Sequence, residues 1–137
     1  MAKSEDLNRY RANLQDEIDS AALYKTLADI EPQPQLAEVY RRLATVEERH
    51  AQFWAQRLQA AGQPVPSQRP SWRSRCLSWL ARHLGPQFVL PTIATLEEVG
   101  RHMYDRQPEA QATRMPADER SHARLFRTIV GTSRTGI

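Results

Sequence analysis

Apolar residues recur at spacings of three and four along most of this 137-residue chain, and in four places a glutamate interrupts the repeat near its centre. That spacing is the period of an α-helix with one buried face. Strand signals are nearly absent, because the sequence has no period-two runs of β-branched residues and no Asn-Gly or Asp-Gly turns. The pattern therefore predicts an all-α fold of four long helices.

Proline and glycine residues mark the ends of the predicted helices. The four long helices are expected to run from an N-cap at Ser4 and Asp6 to about Ile30, from about Gln35 to Ala61, from about Phe88 to Arg106, and from Pro108 to about Val130. A proline-rich connector at residues 63–71 and a short basic helix at Trp72–Leu84 join the two halves. Short turns within each half and this long crossover predict two antiparallel helical hairpins.

The length fits one domain, at residues 1–131, followed by a linker or tail at 132–137 that could lead to a missing membrane domain. No apolar stretch is long enough to span a bilayer, and the N-terminus lacks the apolar run of a signal peptide. The single cysteine, Cys76, rules out a disulfide framework and a Cys-x-x-Cys metal knuckle. We therefore expect a soluble, cytoplasmic domain.

The net charge of +3 is concentrated in one segment, because residues 62–91 carry four arginines and no acidic side chain. A uniformly basic surface would favour nucleic acid as a partner. A local excess indicates a local contact instead, and we expect no nucleic-acid partner.

A glutamate lies at the centre of each predicted buried seam. The seam positions, helix by helix, are Tyr10, Leu14, Glu17, Ala21, Tyr24 and Ala28; Leu36, Tyr40, Leu43, Glu47, His50 and Trp54; Leu90, Ile93, Glu97, Gly100 and Tyr104; and Ala112, Met115, Glu119, His122, Phe126 and Ile129. Four buried carboxylates are prohibitively costly unless positive charge compensates them. Divalent cations supply that compensation.

Two of the helices also carry a histidine three residues after the glutamate, at His50 and His122. Residues i and i+3 of a helix point the same way, here toward one metal pair. One glutamate on each of two helices, with Glu-x-x-His on each of the other two, is the ligand arrangement of di-iron and di-manganese carboxylate bundles. The predicted metal ligands, which are also the predicted catalytic residues, are Glu17, Glu47, His50, Glu97, Glu119 and His122.

An internal repeat supports this arrangement. Glu17 and Tyr24, like Glu97 and Tyr104, are seven residues apart, and each pair is followed by a Glu-x-x-His helix. Core packing is the main role expected of both tyrosines, with a hydrogen bond to a carboxylate or a redox role as the alternative.

The remaining polar candidates are expected to lie at the surface or to pack. Solvated helix surface is the expectation for Glu31, Glu98 and Glu109, with extra metal ligation as the alternative; His83 and His102 are expected at the surface, and Cys76 is expected to pack.

The residues that carry these patterns also carry a family resemblance. They lie in the stretches 17–24, 43–50, 107–110 and 119–125. The chain resembles the rubrerythrin and ferritin-like superfamily, and most closely the N-terminal domain of membrane-bound ferritin proteins fused to a vacuolar-iron-transporter-type membrane domain.

The resemblance implies a ferritin-like four-helix bundle that holds two iron ions, with manganese as the alternative. It implies a ferroxidase-type oxidoreductase that binds Fe(II) and reacts with oxygen or peroxide in iron storage, detoxification or export. It also implies a homodimer at the cytoplasmic face of a bacterial inner membrane, associated with an iron transporter. In this hypothesis Glu17 and Glu97 are the unpaired carboxylates, Glu47 and Glu119 bridge or chelate, and His50 and His122 each ligate one ion.

Two features depart from the family pattern. The chain has no rubredoxin module to deliver electrons, and Pro116 should start or kink the fourth helix near the site. Two other functions stay open at this point. One is an iron sensor or delivery module that binds metal without oxidising it, and the other is a metal-free helical interaction domain.

The crossover segment, residues 69–84, has two interpretations. Its apolar face is expected to pack on its own bundle or on a second subunit while its arginines stay solvated. The alternative follows from the resemblance, since a domain tethered to an iron exporter would lie near the anionic cytoplasmic leaflet, which attracts basic segments.

Overall fold

The computed structural model describes residues 3–111 and 113–135, and within them every element is helical. The elements are α1 (Ser4–Ile30), α2 (Pro34–Ala60), α3 (Trp72–Leu84), a 3₁₀ turn (Pro86–Phe88), α4 (Leu90–Asp105), α5 (Pro108–Gln111) and α6 (Met115–Thr135). The predicted all-α class is confirmed, and these elements are consistent with a ferritin-like bundle. The chain forms two compact units, Met1–Arg82 and His83–Ile137.

Helices α1 and α2 form an antiparallel hairpin in the N-terminal unit, because only residues 31–33 connect them. Pro34 is at the start of α2, where the missing N–H of proline costs nothing. The predicted cap of α1 is wrong: the N-cap residue is Lys3, and Ser4 is already helical. Glu5 and Asp6 lie in the first turn, where acidic side chains interact favourably with the helix dipole.

The seam positions of this hairpin are buried as predicted, apart from Leu36, which is half-buried. Tyr10 stacks on Trp54, with ring centroids 5.5 Å apart, and Tyr24 and Trp54 are fully buried. These large apolar side chains lie along the helices on both sides of the central glutamates. The central glutamates therefore lie between apolar layers of the hairpin.

The crossover helix α3 packs along α1 through small polar groups. The Ser71 backbone N–H and hydroxyl both donate to the Asp19 carboxylate, at 2.7 and 2.6 Å, and the Ser74 hydroxyl donates to the Asp19 carbonyl at 3.0 Å. Further along, the Thr26 hydroxyl donates to that of Ser78 at 3.2 Å. Ser74 and Ala81 are buried on this side of α3.

The C-terminal unit is a second hairpin, α4 with α6, and its second arm is divided. A single fourth helix from Pro108 was predicted, but α5 ends at Gln111 and α6 begins at Met115. The Thr113 hydroxyl accepts a hydrogen bond from the Met115 N–H at 3.1 Å, as a capping group does. Pro116 lies in the first turn of α6, where the missing N–H of proline is tolerated. The sequence predicted that Pro116 would either start or kink the fourth helix, and the first of these outcomes is observed.

Several sequence expectations fall at the limits of the described part of the chain. Helix α6 continues to Thr135, past the expected domain boundary at 131. Residues 136–137 of the expected tail and the seam position Ala112 lie outside the described residues. The burial of the seam position Gly100 and the side chain of His102 also lie outside what the structure describes. Among the described residues, none of the helices combines the length and apolarity needed to cross a membrane.

Candidate metal centre

The α1–α2 hairpin brings together Glu17, Glu47 and His50, here called the first triad. His50 Nδ1 lies 3.4 Å from Glu17 Oε2 and 4.0 Å from Glu47 Oε2. The antiparallel pairing of the two helices produces this contact, since each residue is at the middle of its helix. All three residues are at most 5% exposed.

The α4–α6 hairpin repeats the arrangement with Glu97, Glu119 and His122, here called the second triad. His122 Nδ1 lies 3.7 Å from Glu97 Oε2, the counterpart of the contact between His50 and Glu17. These three residues are also at most 5% exposed. The internal repeat seen in the sequence is therefore also a repeat of side-chain geometry within each hairpin.

Each triad offers a set of donor atoms that suits a hard divalent cation. Within each triad, one nitrogen or oxygen atom from every residue lies within 4.8 Å of the corresponding atoms of the other two. Nδ1 is the imidazole atom that faces the carboxylates, so it is the candidate ligand of both histidines. Carboxylate oxygens with imidazole nitrogen suit iron and manganese, so the residues present fit the metal that the sequence predicts.

Burial makes a cation at each triad energetically favourable. Two carboxylates that share a dry site repel each other, and each also loses its hydration, so a bound divalent ion offsets both costs. Next to the first triad, the exposed Asp16 has its carboxyl pKa raised to about 6, by partial desolvation first and then by the negative charges of Glu17 and Asp19. Burial likewise raises the pKa of the Tyr40 phenol to about 12, so Tyr40 is neutral at physiological pH.

The other candidates from the sequence lie outside the triads. Glu98 forms an ion pair with Arg127, its Oε1 lying 3.3 Å from Nε, and Glu31 accepts a hydrogen bond from the Gln33 N–H. His83 is exposed, as predicted. Cys76 is also exposed, so the prediction that it packs is wrong. The reason is that α3 turns its small residues, not Cys76, toward α1.

Tyr24 and Tyr104 are buried one or two turns from the triads, which confirms the predicted core role. Two further polar residues were not predicted. Asn13 is buried one turn before Glu17, where the spacing i, i+4 places it on the same face. Asp19 holds the crossover through its hydrogen bonds with Ser71, and no local sequence signal indicated that contact.

A comparison with known protein families found a match within the N-terminal unit. Residues 11–71 match the rubrerythrin family. This segment contains α1 from residue 11 onward, all of α2 and the connector, so the match includes all three residues of the first triad and ends before the second. The resemblance to the rubrerythrin and ferritin-like superfamily is therefore confirmed over a little under half of the chain. Searches of curated proteins and of solved structures found no match to the chain.

Proposed function

We propose that this protein is a di-iron carboxylate protein that binds Fe(II) and oxidises it with oxygen or peroxide. The observation that carries the proposal is the repeated buried triad, two carboxylates and one imidazole on each hairpin. The rubrerythrin match over residues 11–71 supports iron as the metal. Two iron ions are the proposed cofactor, with manganese as the alternative.

The proposed ligands are the six predicted residues. Glu17 and Glu97 would each supply a carboxylate from the first helix of a hairpin. Glu47 and Glu119, with His50 and His122 one turn later, would supply the remaining donors. Bound iron supplies redox chemistry and a position for the oxidant, while the protein excludes water with the buried aromatic side chains around the first triad.

The residues have specific tasks in this proposal. The carboxylates neutralise the charge of incoming Fe(II) and, through their negative charge, favour the more highly charged oxidised ion. The imidazole Nδ1 atoms are neutral donors and restrict the site to metals that accept nitrogen. Asn13, buried one turn from Glu17, adds an amide on the same helix face.

The finer features of the sequence hypothesis remain proposals. Homodimer formation, association with a membrane iron transporter, and a position at the cytoplasmic face of an inner membrane are implied by the family resemblance. Each of them can be examined independently of the metal chemistry.

An anaerobic Fe(II) titration followed by measured oxygen uptake tests the function. We expect two Fe(II) per chain to bind without oxygen, and oxygen to be consumed in proportion to the bound iron when air is admitted. Binding without oxygen or peroxide consumption would favour the sensor or delivery module over the enzyme. No binding at neutral pH would refute both and favour a metal-free interaction domain.

A further inference from the structure

Helix α3 presents two tryptophans to solvent. Trp72 is 65% and Trp79 57% exposed, and they are seven residues apart, which places them about 20° apart around a helix. Ser74 and Ala81, on the opposite side, are buried, and the Ser74 hydroxyl donates to the Asp19 carbonyl of α1. The two tryptophans of the apolar face therefore do not pack on the chain's own bundle, and packing of this face on a second subunit stays a prediction.

Arginines flank the tryptophans on this surface. Arg73, Arg75 and Arg82 are exposed on α3, and the Arg73 guanidinium lies 5.5 Å from the centre of the Trp72 ring. Arg82 is paired with Asp29, 3.2 Å away, so Arg73 and Arg75 carry most of the local positive charge on the helix. Since residues 62–91 contain no acidic side chain, this outward face of α3 is basic and aromatic throughout.

We propose that the outward face of α3 docks on a bilayer surface that carries anionic lipid headgroups. Exposed tryptophans suit the boundary between headgroups and acyl chains, since each ring combines a large apolar area with one N–H donor. Arginines near them attract the negative charge of the lipids. A helix that lies in the plane of the interface with aromatic anchors and basic flanks is the established form of such binding.

The charge and the size of this face argue against other occupants. A second copy of this chain would bring like charges together, because no acid in this segment opposes the arginines. A stable protein interface needs about 20 to 30 residues on each side, and one face of a 13-residue helix offers far fewer. Single-stranded nucleic acid is bound in basic grooves with stacking platforms, whereas this face is a convex helix ridge.

Vesicle co-sedimentation of the full chain tests the charge dependence, with phosphatidylcholine vesicles that contain or lack phosphatidylserine. We expect binding only to the anionic vesicles, weakened by raising the salt from about 0.01 M to 0.15 M because the Debye length shortens from roughly 30 to 8 Å. The double variant Arg73→Gln, Arg75→Gln should bind about 25-fold more weakly at low salt, at about fivefold per arginine.

The matched control removes the same net charge elsewhere. Arg41→Gln with Arg42→Gln changes two exposed arginines of α2 that pair with Glu38, and it should weaken binding by less than about threefold. An equal loss in both double variants would mean that only net charge matters, and would overturn the proposal. So would a wild-type protein that fails to bind anionic vesicles.

Tryptophan fluorescence tests the contact itself. Lipids brominated in their acyl chains should quench the wild-type protein, and the variant Trp72→Ala, Trp79→Ala should lose this quenching because Trp54 is fully buried. Circular dichroism of each variant verifies that the exposed substitutions leave the helices intact. Unquenched emission in bound wild-type protein, or tighter binding to a single-stranded oligonucleotide than to the vesicles, would assign the face to another partner and refute the proposal.

Discussion

Adjacent glutamates on α2 have opposite environments. Glu47 is buried in the first triad, whereas Glu48 is exposed and forms an ion pair with Lys25. Two adjacent residues of α2 are therefore a candidate ligand, Glu47, and a surface charge, Glu48. We expect Glu47→Ala to lower the number of Fe(II) ions bound at neutral pH, measured by anaerobic titration, while Glu48→Ala binds as the wild type does.

Glu119→Ala should lower the Fe(II) stoichiometry as well, because Glu119 holds the equivalent position in the second triad. Arg120→Ala, at the exposed next position of α6, is the matched control. If Glu47→Ala and Glu119→Ala both still bind two ions with unchanged affinity, the six ligands are misassigned.

The buried carboxylates should also cost stability when no metal is present. In the first triad, Glu17 and Glu47 offer atoms within 4.8 Å of each other, so two negative charges share a dry site. Glu47→Gln removes one charge and nearly keeps the shape, and we expect the metal-free protein to gain roughly 1 to 3 kcal/mol. Thermal melts in chelator measure this, and a lower melting temperature for the variant would contradict it.

At the scale of an element, Asp19 joins α3 to α1. Its carboxylate accepts two hydrogen bonds from Ser71, and hydrogen bonds to charged groups contribute about 1.5 to 3 kcal/mol each. Asp19→Ala should lower the free energy of unfolding by about 2 kcal/mol or more and speed amide exchange in α3. Asp29→Ala, which removes an exposed pair with Arg82, is the control and should cost less than about 1 kcal/mol. Unchanged exchange in α3 would show that apolar packing alone holds the crossover.

The bounds of the helices were predictable where local chemistry sets them. The crossover helix was predicted at Trp72–Leu84 and has these bounds, because Gly85 and Pro86 end it. Pro116 predicted a start or a kink near this point, and α6 does begin one residue before it. The separate short helix α5 was not predicted, because apolar periodicity continues across the break while the capping contact of Thr113 with Met115 depends on local geometry. Periodicity therefore identifies a helical face better than it identifies a helix end.

The direction in which α3 faces was not predictable from its sequence. Hydrophobicity favours burial of Trp72 and Trp79, yet Ser74 and Ala81 are buried instead. The deciding contacts come from Asp19, more than 50 residues away in the chain. A partner so distant in sequence leaves no trace in the local pattern of the helix.

At the scale of the whole molecule, the candidate ligands were easier to predict than their surroundings. Glutamate and histidine at buried seam positions are rare, because an uncompensated buried charge is costly, so residue type and helical period together identify them. The six predicted residues all lie in one triad or the other. Asn13 has no such distinctive pattern, and its burial became apparent only from the packing of the hairpin.

Metal should stabilise the whole chain if the six residues share one pair of ions, as the sequence predicts. Binding to the native state alone adds about 2.7 kcal/mol at a hundredfold excess over Kd, which corresponds to a rise of roughly 8 °C in Tm for a domain of this size. Anaerobic melts with Fe(II) or Mn(II) measure the rise.

Hydrogen exchange shows which helices the metal stabilises, and we expect metal-dependent protection in α1 and α2 as well as in α4 and α6. Glu119→Ala should reduce the protection of α1 and α2, although the substitution lies in the other unit. Protection of α1 and α2 that is unaffected by Glu119→Ala would mean that each triad binds metal independently, and would rule out a shared pair of ions.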